Sequence, residues 1–139
     1  MNISEIKVEV DPKKDLLLQL FEAQTEVEKE FALVEGFPER LVFGKLENLH
    51  HPEVCKHIND NIIWRIVQES NEAVVALRNA KTWRQTQYLT DVNEFLDEVA
   101  DIFIYFINLC LASGISPKLL VQSVLKKIKV NQARIRSKY

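Results

Sequence analysis

The chain has 139 residues, 47% hydrophobic and 27% charged, with a net charge of −2. That length suits a single domain, residues 1–139, with a sizeable core. The mild acidity argues against a nucleic-acid partner, which normally calls for a basic surface. The most apolar stretch, Ile102 to Ile115, is too short to span a membrane and is broken by Asn108 and Gly114. Cys55 and Cys110 alone make no disulfide framework, and Met1 to Asp11 is polar, without the apolar centre of a secretory leader. A cytoplasmic setting with no membrane contact is therefore expected. Cys110 lies in an apolar run and is expected to be a buried thiol.

Three glycines and four prolines leave little punctuation, and the pattern is helical throughout. Residues 1–14 are a candidate flexible lead. Asp15 to about Val34 carries Leu16, Leu17, Leu20, Phe21, Val27 and Phe31 near helical spacing, and Gly36 and Pro38 stop it. A weakly periodic loop follows to about Asp60, with Pro52 to Ile58 as a possible short helix. It holds His50, His51 and His57, which have no acid or cysteine at a recognised metal spacing and so are expected in solvent.

A second long helix is expected from about Asp60 to Ala80. Its apolar stripe would be Ile63, Ile66, Val67, Ser70, Val74 and Leu77, with Glu69 and Glu72 together on its flank. A polar connection, Lys81 to Thr90, leads to a third helix capped by Thr90 or Asp91 and running to Ser113, with Gly114 just past its end. On that helix Glu94, Glu98, Asp101, Tyr105 and Asn108 form one stripe, and its remaining sides are apolar. Such a helix should be central. Ser116-Pro117 then opens a last helix to about Ser137, on which Lys127, Asn131, Arg134 and Lys138 share a stripe. The fold class expected is all-α, a bundle of four main helices and one short extra helix.

The informative feature is the spacing Glu69-x-x-Glu72 and Glu98-x-x-Asp101. Residues three apart share a helix face. Two helices thus offer two carboxylates each, and a carboxylate on a central helix is costly unless paired or metal-bound. Four carboxylates brought together repel unless a cation sits among them. Mg²⁺ suits oxygen ligands and usually arrives with substrate phosphates. An acid stripe beside a basic stripe on a neighbouring helix would make a cleft suited to metal and phosphate.

These residues resemble the all-α nucleoside triphosphate pyrophosphohydrolase superfamily, which includes MazG-like enzymes and dimeric dUTPases. Its E-x-x-E, spacer, E-x-x-D motif corresponds to Glu69, Glu72, Glu98 and Asp101. Lys81-Thr82-Trp83-Arg84 is similar to a K-x-W-[KR] segment of dimeric dUTPases. Lys127-x-x-x-Asn131-x-x-Arg134 is similar to a closing K-x-x-x-N-x-x-R element, and Leu20-Phe21-x-x-Gln24 to a first-helix segment that carries a glutamine near the base. The chain is shorter than typical dimeric dUTPases, which keeps the MazG-like branch beside the dUTPase one.

The resemblance implies Mg²⁺-dependent hydrolysis of a (deoxy)nucleoside triphosphate to the monophosphate and pyrophosphate, with Mn²⁺ as a substitute ion. It implies a role in cleansing the nucleotide pool, with dUTP as first candidate substrate and dCTP or another dNTP next. Glu69, Glu72, Glu98 and Asp101 would be metal ligands and catalytic groups. One of them, with Glu69 the choice, would instead act as general base. Lys81, Arg84, Lys127 and Arg134 would neutralise phosphates, and Asn131 would bond sugar or phosphate. Trp64 or Trp83 would stack the base, and Gln24 would read its edge with one donor and one acceptor. A homodimer or homotetramer is expected, since one chain is not expected to cover the apolar third helix.

Plainer readings stand beside these. An E-x-x-E pair on a helix is usually a solvated face. Lys127 and Arg134 complement the dipole of a helix end. Trp64 fits a core position by spacing, which leaves Trp83 as the better stacking candidate. Tyr105 on the acid stripe can orient a carboxylate or simply pack. The alternative function is a non-catalytic helical module that binds nucleotide or metal, or docks a partner.

Overall fold

A computed structural model describes residues 5–77 and 90–137. Lys81 to Leu89 of the expected connection, and with them Lys81, Trp83 and Arg84, lie outside the described residues. The described residues are helical, with no strand among them.

Helix α1 spans Leu16–Glu35. The Asp15 carboxylate accepts the Leu18 N–H at 2.8 Å, satisfying one of the donors that a helix start leaves free. Gly36, at φ 70°, ends the helix in the left-handed conformation that glycine adopts without a Cβ penalty. Ahead of α1, the Gln19 side chain bonds both the N–H and the carbonyl of Asp11, which ties the lead segment back to the helix. A short helix α2, Glu39–Val42, and a 3-10 turn, Leu46–Asn48, follow.

Helix α3, Pro52–Ile58, runs through a π turn at Asn59–Ile63 directly into α4, Trp64–Ala76. The second long helix thus begins earlier than Asp60. The π turn advances the backbone by an extra residue in one turn, so the helix face downstream is rotated. The inner side is Ile62 of the π turn and Ile66, Glu69, Ser70, Ala73 and Ala76 of α4, whereas Ile63, Val67, Val74 and Leu77 of the expected stripe are exposed. Trp64 is 59% exposed and belongs to no core, which corrects the core reading of that residue.

Helix α5 spans Val92–Ser113. Asp91 caps it by accepting the Glu94 N–H at 3.1 Å, and Gly114, at φ 74°, closes it. The second half of α5 is central. Ile107 and Cys110 are fully buried, in a cluster with Phe21 of α1 that Leu17, Phe106, Leu111, Ile115 and Leu120 extend. A second cluster joins Ala112 to Leu41, Val54, Ile58 and Ile62. Burying each such side chain is worth about 1.5–3 kcal/mol. The first half of α5 is one-sided: Phe95, Glu98, Asp101 and Ile102 face inward, and Leu96, Val99, Phe103 and Ile104 are exposed. From Glu98 onward the stripe of acids is therefore the inward-facing stripe, packed on α4, and Glu94 at its start is exposed.

The α2 to α3 segment is fastened to the end of α5 by backbone. The Gly44 N–H donates to the Leu111 carbonyl at 2.9 Å. A Cβ on Gly44 would fall 1.7 Å from the Ala112 carbonyl oxygen, so only glycine fits.

Helix α6, Pro117–Arg136, starts at the Ser116 cap, and the chain bends by 110° between α5 and α6. Leu120 seats its start on the α1–α5 cluster, and every residue from Val121 to Arg136 is exposed. The expected four-helix bundle is thus a packed core of α1, the α3–α4 rod and α5, with α6 projecting from one end. No single helix among the described residues is long and apolar enough to cross a membrane.

Candidate metal centre

The close packing of α4 on α5 decides the site. Ala73 and Ala76, both buried, let the two backbones approach, and the carboxylates one turn away come together. Carboxylate oxygens of Glu69 and Glu72 from α4 and Glu98 from α5 lie within 4.8 Å of one another. An oxygen-ligated divalent cation, with bonds of about 2.0–2.6 Å, spans ligand atoms up to roughly 4–5 Å apart. Glu69 Oε2 and Glu98 Oε2 are buried and have no hydrogen-bond partner among the described residues. An orphaned buried acceptor is costly, and a cation is the partner that both of these oxygens could share.

The electrostatics agree. Burial pushes the Glu69 carboxyl above the ordinary carboxylate range, and its contacts with Glu72 and the charges of Asp101 and Glu98 push it further. Glu98 is raised by desolvation first, then by Glu72, Asp101 and Glu94. No basic group among the described residues offsets either shift. Asp101 stands beside the three-carboxylate group, close enough for its charge to act on both glutamates.

Asp101 also lines a cavity of about 420 Å³ between α1, the π turn and α5. That is within the usual range for small-molecule sites. Tyr105 and Asn108 continue the α5 stripe along its wall, opposite Gln24 and Glu28 of α1. The Gln24 amide nitrogen donates to Asn108 Oδ1 at 2.9 Å and to Glu28 Oε1 at 3.1 Å. Burial raises the Glu28 carboxyl, and the Gln24 and Asn108 amides pull it back. Phe31 and Phe37 stack with ring centres 5.6 Å apart, and Phe37 meets the His57 ring at 5.6 Å. His57, Asn61 and Arg65 complete the polar wall.

Gln24 thus reaches the cavity that borders the acids. Trp64 does not line that cavity. Lys127, Asn131 and Arg134 lie on the exposed part of α6, and no ion pair among the described residues joins them to the acids. The expected cleft between acid and basic stripes is therefore not formed between α5 and α6 of one chain, because the 110° bend carries α6 away.

Glu28, Phe37 and Asn61 of the cavity are not singled out by sequence reasoning, and Phe31, His57 and Arg65 are not assigned to a site by it. A signal was present. His57, Asn61, Arg65 and Glu69 recur every four residues, a polar line down the α3–α4 rod. His50 and His51 are exposed as expected, but His57 is half-buried and its pKa is lowered by that burial.

Compared with known proteins, the chain matches no protein-family model, no curated protein and no solved structure. The reading of its chemistry therefore rests on its own residues.

Proposed function

We propose that the chain is a Mg²⁺-dependent nucleoside triphosphate pyrophosphohydrolase of the all-α, MazG-like or dimeric-dUTPase-like kind, acting in the cytoplasm on the nucleotide pool. The observation that carries the reading is the convergence of Glu69, Glu72 and Glu98 from two helices, with two buried carboxylate oxygens that have no partner among the described residues. Asp101 supports it by bordering both that group and a cavity of nucleoside size.

In this reading Glu72, Glu98 and Asp101 hold the ion, with Glu69 beside them. Bound Mg²⁺ would polarise the phosphoryl oxygens and make water a better nucleophile. Glu69, in place of ligating the ion, takes the proton of the attacking water. The water oxygen bonds to the α-phosphorus, and the bond from that phosphorus to the bridging oxygen breaks. Monophosphate and pyrophosphate leave. Arg65, on the cavity wall one turn before Glu69, is placed to neutralise a phosphate oxygen.

Self-association is part of the proposal. Val67, Val74 and Val75 on α4, and Leu96, Val99, Phe103 and Ile104 on α5, are exposed apolar residues. A homodimer or homotetramer would cover them and could present Lys127, Asn131 and Arg134 of one copy to the acids of another.

Ion-exchange analysis of the products tests the chemistry. Equal amounts of nucleoside monophosphate and pyrophosphate are expected from a triphosphate with Mg²⁺. Diphosphate and free phosphate as products would make the protein a phosphatase. No turnover, with Mg²⁺ and nucleotide still raising the melting point, would favour a binding module instead.

A further inference from the structure

We infer that Gln24, Glu28 and Asn108 select a nucleobase bearing an exocyclic amino group (cytosine, adenine or guanine) over uracil and thymine. The inference rests on the nucleotide reading of the same site and names its substrate class.

The three side chains meet at the wall of the 420 Å³ cavity, with the stacked Phe31 and Phe37 rings on its lining and Asp101 where the cavity borders the acids. A base lying in it would meet aromatic faces and hydrogen-bonding groups, with its phosphates toward Asp101.

The hydrogen bonds fix which groups remain for a ligand. An ionised carboxylate only accepts, so the Gln24 atom that meets Glu28 Oε1 must be the amide nitrogen. Its second proton goes to Asn108 Oδ1. Both Gln24 protons are thus used, and Gln24 offers the cavity only its carbonyl oxygen. The Asn108 amide also bonds the Glu28 carboxylate. One Asn108 proton is then left against Gln24 Oε1 and the remaining lone pairs of Glu28. Acceptors outnumber donors, and one acceptor carries charge.

A ligand that fits must bring N–H groups. The exocyclic amino group of cytosine, adenine or guanine brings two. Uracil and thymine bring a single N–H, at N3 between two carbonyls, and where cytosine carries its amino group they turn a carbonyl toward the carboxylate, which repels it. This reverses the order expected from the first-helix glutamine taken alone, because Glu28, one turn along, orients that glutamine.

The test is calorimetric binding of dCMP and dUMP with Mg²⁺, beside pyrophosphate release from dCTP, dATP, dGTP, dUTP and dTTP, for the parent and Glu28→Gln. A hydrogen bond to a charged group gives a preference of about 10- to 100-fold. The parent is expected to favour dCMP over dUMP by that factor, and the triphosphates to follow the same order. Glu28→Gln is expected to bring the dCMP to dUMP ratio close to one. A parent that binds dUMP as tightly as dCMP overturns the inference, and so does a preference that survives Glu28→Gln. Selective dCMP binding without pyrophosphate release would leave the inference standing and refute the hydrolase reading. Selective release of pyrophosphate from dUTP would do the opposite. Failure to bind either monophosphate, with no release from any triphosphate, would refute both.

Discussion

Replacing Gly44 by alanine tests how the site is held. Its added Cβ would lie 1.7 Å from the Ala112 carbonyl oxygen and 2.7 Å from the carbonyl carbon, both backbone atoms that cannot rotate aside. Ordinary contact needs about 3.5 Å, so the α2 to α3 segment must retreat from α5 by roughly 1.5–2 Å. Overpacking of this kind costs about 1–3 kcal/mol. The retreat also stretches the 2.9 Å bond from the Gly44 N–H to Leu111, worth about 1 kcal/mol. A total near 3 kcal/mol lowers the melting temperature of a chain this size by roughly 6–12 °C. Gly36→Asn is the control: Gly36 also has positive φ, at 70°, but nothing lies within 4 Å of its would-be Cβ. Asparagine tolerates that conformation, so the control should lose less than about 1 kcal/mol. Thermal unfolding followed by circular dichroism reads both. A Gly44→Ala melting point within 2–3 °C of the parent, or a control equally damaged, would refute the close-approach reasoning. Because Ala112 also lines the cavity, the same variant should weaken mononucleotide binding.

Two further outcomes are expected. Glu69 and Glu98 have raised pKa values when folded, so the folded state holds their protons more tightly than the unfolded state. The metal-free protein should therefore gain stability from these groups as pH falls from neutrality through their raised values, levelling off below the ordinary 4.5. Mg²⁺, which binds the ionised forms, should remove that gain. Melting curves from pH 7.5 to 4.5 with EDTA and with Mg²⁺ read the difference, and identical slopes in the two series would contradict a cation site. Separately, Asp91→Ala deletes the cap of α5 and should cost about 1 kcal/mol in chemical unfolding, while an unchanged midpoint would show the cap to be idle.

Sequence patterns located the helix ends better than the helix faces. Asp15, Asp91 and Ser116 cap, and Gly36 and Gly114 stop, where the residue types and their spacing say they should. Such signals are local, because a cap is a bond to a residue two or three places on. The acid pairs were legible for the same reason: a three-residue spacing shares a face in any α-helix. The inner face of α4 was not. Counting bulky residues favours Ile63, Val67 and Val74, but small Ala73 and Ala76 make the close contact, and the π turn rotates the face without a distinctive sequence mark. The cavity was half legible. Tyr105 and Asn108 extend the acid stripe and Gln24 was marked, but Glu28 acquires its role only when α1 packs on α5. The direction of α6 was not legible, since Ser116-Pro117 says where a helix begins and not where it points.

The most direct measurement is pyrophosphate release with Mg²⁺ from the common ribo- and deoxyribonucleoside triphosphates and dUTP, run on the parent, Glu72→Gln and Asp101→Asn. Both variants keep side-chain volume and remove one negative charge from the cluster. Release by the parent, lowered about 100-fold or more in both variants, is the expected result. Release that persists undiminished in both variants would contradict a metal centre built on these acids, and no release from any nucleotide by the parent would contradict the enzyme itself.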